Sequence, residues 1–108
     1  MPLSREFKEL YVERAKRDPA FRRGLLVEAI NLILDNEVTA GRLMLRDFIN
    51  ATGIRDSLCK ELKMKPSQLG HVLGPKGNPS LETFFPIVQV CAKREKVNLS
   101  VCVGHCTA

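Results

Sequence analysis

The residues from 55 to 79 constrain the fold of this chain more than any other stretch. Apolar residues recur at helical spacing on both sides of an interruption at residues 63–65, with Leu58, Cys59 and Leu62 before it and Leu69, Val72 and Leu73 after it. Pro66 is typical of the first position of a helix, because the first turn has no use for its missing N–H. Two short helices joined by about three residues around an apolar Met64 predict a helix-turn-helix.

The outer face of the second predicted helix carries polar residues that suit DNA recognition. In a helix-turn-helix, the first residues of the second helix and those one turn later reach base edges in the major groove. Here these residues are Ser67, Gln68 and His71. Glutamine pairs bidentately with adenine, histidine donates to guanine acceptors and serine is permissive. The alternative is that they are the ordinary polar surface of a helix.

Three basic residues around these helices are candidates for phosphate contacts. Arg55 begins the first helix, Lys65 precedes the second, and Lys76 lies at the centre of the loop from Gly74 to Pro79. This loop has two glycines and two prolines within six residues, so its backbone N–H groups and its lysine suit a phosphate. A tight connection between two helices is the alternative interpretation of the loop.

The net charge of +5 is unevenly distributed along the 108 residues. Residues 1–53 carry 9 Lys+Arg against 8 Asp+Glu, whereas residues 54–108 carry 8 against 4. The basic excess therefore lies in the half that holds the helix-turn-helix, and it favours a polyanionic partner.

The N-terminal half predicts three amphipathic helices. Ser4, the pair Asp18–Pro19, and Thr39 are suited to begin them, since each supplies an N-cap oxygen. The predicted inward faces are Phe7, Leu10, Tyr11 and Ala15; Phe21, Leu25, Leu26, Ala29, Ile30 and Ile33; and Leu43, Met44, Phe48 and Ile49. The charges of the first helix alternate in sign, which is typical of a solvated face, with a partner-binding surface as the alternative.

The C-terminal part predicts one more helix and a short strand. Ser80 is suited to cap the helix, whose predicted inner face comprises Leu81, Phe84, Phe85, Val88 and Cys91. Pro86 is unusual inside a helix, so the helix either kinks or begins later. Residues 98–103 alternate apolar and polar, which predicts a strand that pairs with a second copy or with the sheet edge of a partner. An irregular tail is the alternative.

The sequence offers little support for catalysis or metal binding. Cys102, His105 and Cys106 invite a metal interpretation, but Cys59 and Cys91 lie on apolar faces, where free cysteine acts as a small hydrophobe. A structural disulfide is a further alternative. No nucleophile motif, phosphate-binding loop or paired-acid pattern is present, so we expect no enzyme activity, no catalytic residues, no metal and no cofactor. No apolar run reaches the roughly 18 residues that span a bilayer, so we expect a cytoplasmic protein.

Four segments together resemble a known family. The spacing L-C-x-x-L-x-M-x-x-S-x-L-x-x-V is similar to the phage-repressor (Cro-like) helix-turn-helix, and LGPKGNPSLETFFPIV resembles the addiction-module antidotes, the HigA-like antitoxins. RDPAFRRGLLVEAI and AGRLMLRDFINATG resemble longer members of that family. The resemblance implies an antitoxin that represses its own operon and neutralises a small ribonuclease-like toxin. The DNA-contacting positions of the repressor pattern are matched here by Arg55, Pro66, Ser67 and His71. At the position of Pro66, the repressor pattern often has a polar residue instead of proline.

These observations predict an all-α fold of five to six short helices, including a lambda-repressor-like helix-turn-helix, with a short C-terminal β-strand. We expect a single compact domain with an N-terminal helical region (1–53), a DNA-binding core (54–97) and a C-terminal strand and tail (98–108). The predicted function is a homodimeric, sequence-specific regulator that binds double-stranded operator DNA. The alternative is a protein-interaction module, toxin-neutralising or scaffolding, with a vestigial helix-turn-helix.

Overall fold

The chain folds into six helices in a computed structural model that describes residues 5–104. The helices are α1 (Arg5–Arg17), α2 (Pro19–Leu34), α3 (Val38–Thr52), α4 (Arg55–Leu62), α5 (Pro66–Leu73) and α6 (Leu81–Arg94). No strand forms within the described residues. The prediction of an all-helical fold with five to six helices is confirmed, whereas the predicted strand is wrong.

Two of the predicted helix starts are confirmed by their cap hydrogen bonds. The carboxylate of Asp18 accepts the Phe21 N–H at 3.1 Å, and this bond lowers the pKa of Asp18 because it stabilises the charged form. The Ser80 hydroxyl accepts the Thr83 N–H at 3.3 Å at the start of α6. The prediction for Ser4 lies outside the described residues.

The predicted cap at Thr39 is wrong. Helix α3 begins at Val38, so Thr39 lies inside its first turn. The Thr39 Oγ1 atom is instead 3.5 Å from Nη2 of Arg42, one turn further along α3. The hydroxyl therefore faces an arginine and not the free N–H groups at the helix start.

Among residues 5–104, three helices are followed within two residues by a residue that has a left-handed backbone and is not glycine. These residues are Asn36, Lys63 and Lys96, with φ angles of 66°, 54° and 57°. At the end of α4, the N–H of Met64 donates to Cys59 O at 2.9 Å and that of Lys63 to Lys60 O at 3.3 Å. This is the Schellman motif, in which glycine is the usual residue at the left-handed position. Lys63 therefore holds a strained backbone that fixes the direction of the link between α4 and α5.

Replacing Lys63 with glycine is expected to raise the free energy of unfolding. The left-handed conformation costs a residue with a Cβ about 1–2 kcal/mol, and the greater freedom of glycine in the unfolded chain offsets about half of that gain. We expect a net gain of about 0.5–1 kcal/mol in urea unfolding followed by circular dichroism. Lys60→Gly, inside α4, is the matched control and is expected to lose about 1 kcal/mol. Equal losses in both variants would contradict this assignment of strain.

The core lies where α2 and α3 meet α4, α5 and α6. Its fully buried large side chains are Phe48, Leu26, Leu45, Ile49, Leu58, Leu69, Leu73, Ile87 and Cys91. A Cβ atom at Gly41 would lie 2.7 Å from the Ala29 carbonyl oxygen, so α2 and α3 pack closely at this point. Helix α5 contacts α3 and α4, while α6 contacts α4 and α2. The two short helices α4 and α5 are thus held against the rest of the chain from more than one side.

Two predicted inward positions of α6 face outward instead. Leu81 is 71% exposed and Phe85 is 50% exposed. Ile87 and Ala92, which were not in the predicted inner face, are buried. Helix α6 begins at Leu81 and contains Pro86, so the alternative of a later start is wrong.

The C-terminal residues 97–104 have no regular secondary structure. Leu99 packs against the core, but Val101 and Val103 are 79% and 97% exposed. A strand requires the backbone of a neighbouring strand, and the regular elements of the described chain are all helices. The alternating pattern therefore identified an apolar segment without a strand to pair with.

Candidate nucleic-acid interface

Helices α4 and α5 form a small unit joined by residues 63–65. Leu58 and Cys59 of α4 and Leu69 and Leu73 of α5 are buried, and three further residues predicted to lock the pair, Leu62, Met64 and Val72, pack against the same core. Proline opens α5 at its first position, as predicted. The apolar face of each helix is therefore turned inward, and the opposite face of α5 is left at the surface.

The three predicted base-reading residues share that outer face. Ser67, Gln68 and His71 are all exposed, at positions i, i+1 and i+4 of α5. Among the described residues, no helix packs over these side chains closely enough to bury them. An eight-residue helix is about 12 Å long, which is the width of the major groove of B-DNA.

Two of the three basic residues predicted to contact phosphate lie at the two ends of α5. Lys65 is exposed at the N-cap position, and Lys76 is exposed three residues after the last residue of the helix. Helix α5 itself contains no acidic residue. A polyanion that lies along α5 would therefore meet a lysine at each end.

Arg55 is placed differently from the two lysines. It is half-buried, and its Nη2 donates to the carbonyl oxygen of Pro66 at 2.9 Å. Its Nη1 donates to Oδ1 of Asn50 at 3.4 Å. The guanidinium thus lies against the first turn of α5 and links it to the end of α3.

The loop after α5 is held by a residue that the sequence interpretation missed. Arg42 of α3 is only 4% exposed, and its Nη1 donates to Gly77 O at 2.6 Å and approaches Gly74 O at 3.4 Å. Its Nε atom is buried without a hydrogen-bond partner among the described residues. A charged side chain is stable in such a place only when carbonyl groups replace water around it. The signal was available, because Arg42 shares one helical face with Leu45 and Ile49.

The loop from Gly74 to Pro79 was interpreted either as a phosphate contact or as a tight connection between two helices, and each interpretation fits a different part of it. Gly74 and Gly77 are buried against α5, and a Cβ atom at Gly77 would lie 2.3 Å from Val72 O and 2.5 Å from His71 O. Pro75, Lys76 and Asn78 are exposed. The glycines provide the tight connection, and they also place Lys76 at the outer edge of α5.

The cysteines do not form a cluster within residues 5–104. Cys59 and Cys91 are buried free thiols, and Cys102 is exposed. Burial raises the pKa of the Cys91 thiol to about 12, so it stays protonated at neutral pH. No group of three or more metal-binding side chains occurs in the described residues, and His105 and Cys106 lie outside them.

A second surface feature is an apolar groove between α2, α6 and the C-terminal segment. Its volume is about 1230 Å³, and Val27, Leu34, Phe85 and Val101 expose apolar surface along it. Lys93 and Lys96 are also among the residues that line it. This groove involves neither α4 nor α5.

Comparison with known proteins gave no relative: no protein-family model matches the chain, and no curated protein or solved structure matches it significantly. None of the helices in the described part of the chain is long and apolar enough to cross a membrane.

Proposed function

We propose that the chain is a sequence-specific DNA-binding regulator in which α4 and α5 form a helix-turn-helix. The observation that supports the proposal best is the arrangement of α5. Its inner face is buried, its outer face presents Gln68 and His71, and a lysine stands at each end. This combines a helix free to enter the major groove with charges suited to the flanking phosphates.

The proposed division of work follows from these positions. Gln68 pairs with adenine and His71 donates to a guanine acceptor, while Ser67 tolerates several bases. Lys65 and Lys76 bind phosphates on either side of the groove. Pro66 has no side-chain donor, so the first helical position makes no polar base contact.

A homodimer completes this proposal. Single helix-turn-helix units bind paired half-sites through two-fold symmetry, with the two reading helices one helical turn of DNA apart, about 34 Å. The operator should therefore contain an inverted repeat. The narrower proposal, an antitoxin that represses its own operon and neutralises a ribonuclease-like toxin, rests on the resemblance of residues 73–88 and the upstream segments to the HigA-like family.

The first test is the anisotropy of labelled DNA from upstream of the gene, with non-specific competitor, at 50 and 200 mM salt. Each phosphate contact contributes about −0.9 to the slope of log K against log salt, so four lysine contacts in a dimer predict a loss of roughly 10²-fold. Binding that resists competitor and falls this steeply supports the regulator. Absent binding, or binding lost to competitor, contradicts it.

The second candidate function is a protein-interaction module with a vestigial helix-turn-helix. The observation that favours it is the exposed apolar surface of Phe85 and Val101 along the groove, whose lining includes no residue of α4 or α5. The discriminating measurement is co-purification with the product of the adjacent gene, with and without operator DNA. A stable complex together with no operator binding favours this candidate, whereas operator binding by the chain alone contradicts the vestigial helix-turn-helix.

A further inference from the structure

Arg55 makes an unusual connection between α4 and α5. Its side chain leaves the first residue of α4 and ends at the first residue of α5, where Nη2 donates to Pro66 O at 2.9 Å. Within residues 5–104, this is the one side-chain hydrogen bond that joins α5 to another helix. Lys65, at the N-cap position of α5, makes no side-chain cap bond. Arg55 therefore supplies the polar contact that locates the start of α5.

Gly70 gives Arg55 the space for this contact. It lies one turn after Pro66, and a Cβ atom there would be 2.7 Å from Nη2 of Arg55 and 3.8 Å from its Cζ. Real Cβ contacts below 3.0 Å essentially never occur, so even an alanine would displace the guanidinium. Glycine is the least favourable helix residue apart from proline. Its presence in the middle of an eight-residue helix is explained by the arginine that passes over it.

We infer that Arg55 is a positioning residue for DNA specificity. It sets the orientation of α5 through its hydrogen bond to the Pro66 carbonyl, and Gly70 leaves the space that this contact needs. The inference rests on the proposed DNA-binding function and revises the predicted phosphate contact of Arg55. A phosphate contact strengthens binding to every sequence equally, whereas the orientation of α5 governs only the base contacts. Gln68 and His71 lie within the two turns that Arg55 locates, so their base contacts depend on it.

The first part of the test compares Gly70→Ala, Arg55→Lys and Lys76→Ala on operator DNA and on unrelated DNA of equal length. For Gly70→Ala and for Arg55→Lys we expect operator affinity to fall about tenfold, the loss typical of one base contact, with unrelated DNA and the salt slope unchanged. Lys76→Ala should weaken both DNAs and reduce the salt slope by about one per phosphate lost. Equal losses on both DNAs in Gly70→Ala or Arg55→Lys, or full affinity in both variants, would overturn the inference.

The second part of the test needs no DNA and separates this inference from the proposed function. It measures the melting temperature of Gly70→Ala in the natural chain and in an Arg55→Ala background. With Arg55 present, alanine displaces the guanidinium from Pro66 O, and the lost hydrogen bond offsets the gain in helix propensity, so the melting temperature should stay nearly unchanged. With Arg55 removed, the better helix propensity of alanine should raise it by about 4 °C.

This difference between the two backgrounds is a double-mutant cycle on one contact. An equal rise in both backgrounds would show that Arg55 does not occupy the space over Gly70, and the inference would then be wrong whether or not the chain binds DNA. Failure of the wild-type chain to bind any DNA, together with a difference between the two backgrounds, would contradict the proposed function and leave Arg55 as the residue that orients α5.

Discussion

Replacing Gly77 with alanine is expected to lower the free energy of unfolding by about 3 kcal/mol, because the new methyl group would overlap two backbone oxygens. The Cβ atom would lie 2.3 Å from Val72 O and 2.5 Å from His71 O, both on the last turn of α5. The loop must then move away from α5. That movement also breaks the 2.6 Å hydrogen bond from Arg42 to Gly77 O.

The loss is large because the broken contact is buried on both sides. Arg42 is 4% exposed and one of its nitrogens already has no partner among the described residues. Losing its shortest hydrogen bond leaves more of a buried charge without compensation, which costs more than the bond itself. The backbone φ of Gly77 is not in the left-handed region, so the effect is steric and electrostatic and not conformational.

Urea unfolding followed by circular dichroism measures this loss. Gly24→Ala is the matched control, because Gly24 lies inside α2 with no atom within 4 Å of the added Cβ. It should gain about 1 kcal/mol from helix propensity. A loss below about 0.5 kcal/mol for Gly77→Ala would contradict the position of the loop against α5.

The helical character of the chain could be predicted because local chemistry decided it. Asp18 and Ser80 cap their helices as their side chains predict, and Pro19 and Pro66 occupy first positions. Such signals act within one turn of the chain. The exposed face of α5 could also be predicted from the sequence, because its polar residues alternate with buried leucines at helical spacing.

Several of the wrong or missed features depend on residues distant in the sequence. The alternation in residues 98–103 predicted a strand, but a strand is decided by a neighbouring strand, which residues 5–104 do not provide. Arg22 pairs with Glu95, 73 residues away, with both Oε atoms 3.0 Å from Nε. Arg42 is buried by carbonyls 32 and 35 residues away. Helical periodicity contains no information about such partners.

The glycines show how the structure changes the interpretation of a single residue. By helix propensity alone, glycine at position 70 would only weaken α5. Its neighbourhood shows instead that a Cβ atom would displace Arg55. The loop that holds Gly77 was interpreted as a phosphate contact or a tight connection, and Gly77 is packed between α5 and Arg42. In both cases the absence of a side chain is explained by close packing and not by backbone flexibility.

The combined variant Gln68→Ala, His71→Ala is expected to abolish operator-specific binding while leaving the melting temperature nearly unchanged. Each good side-chain contact to a base is worth about 1–3 kcal/mol of discrimination. Two contacts in each subunit of a dimer therefore give a loss of at least about 4 kcal/mol, or roughly 10³-fold in affinity. That loss brings specific binding down to the level of non-specific binding.

Stability should not change because both side chains lie on the exposed face of α5. Neither side chain forms a hydrogen bond within the described residues. The buried residues Leu69 and Leu73 anchor the helix on its other face. Exposed substitutions of this kind usually change the free energy of unfolding by less than about 0.5 kcal/mol. Gln89→Ala, an exposed glutamine on α6, is the matched control and should retain full operator affinity.

The two readouts together decide what these residues do. Residual non-specific binding should keep its steep salt dependence, because Lys65 and Lys76 are unchanged in the variant. A melting temperature lowered by several degrees would mean that Gln68 and His71 support the fold, and the assignment of the base-reading face would then be wrong. Full operator affinity at an unchanged melting temperature would place the DNA-binding surface elsewhere on the molecule. Only selective loss on operator DNA, with the fold intact, agrees with α5 as the reading helix.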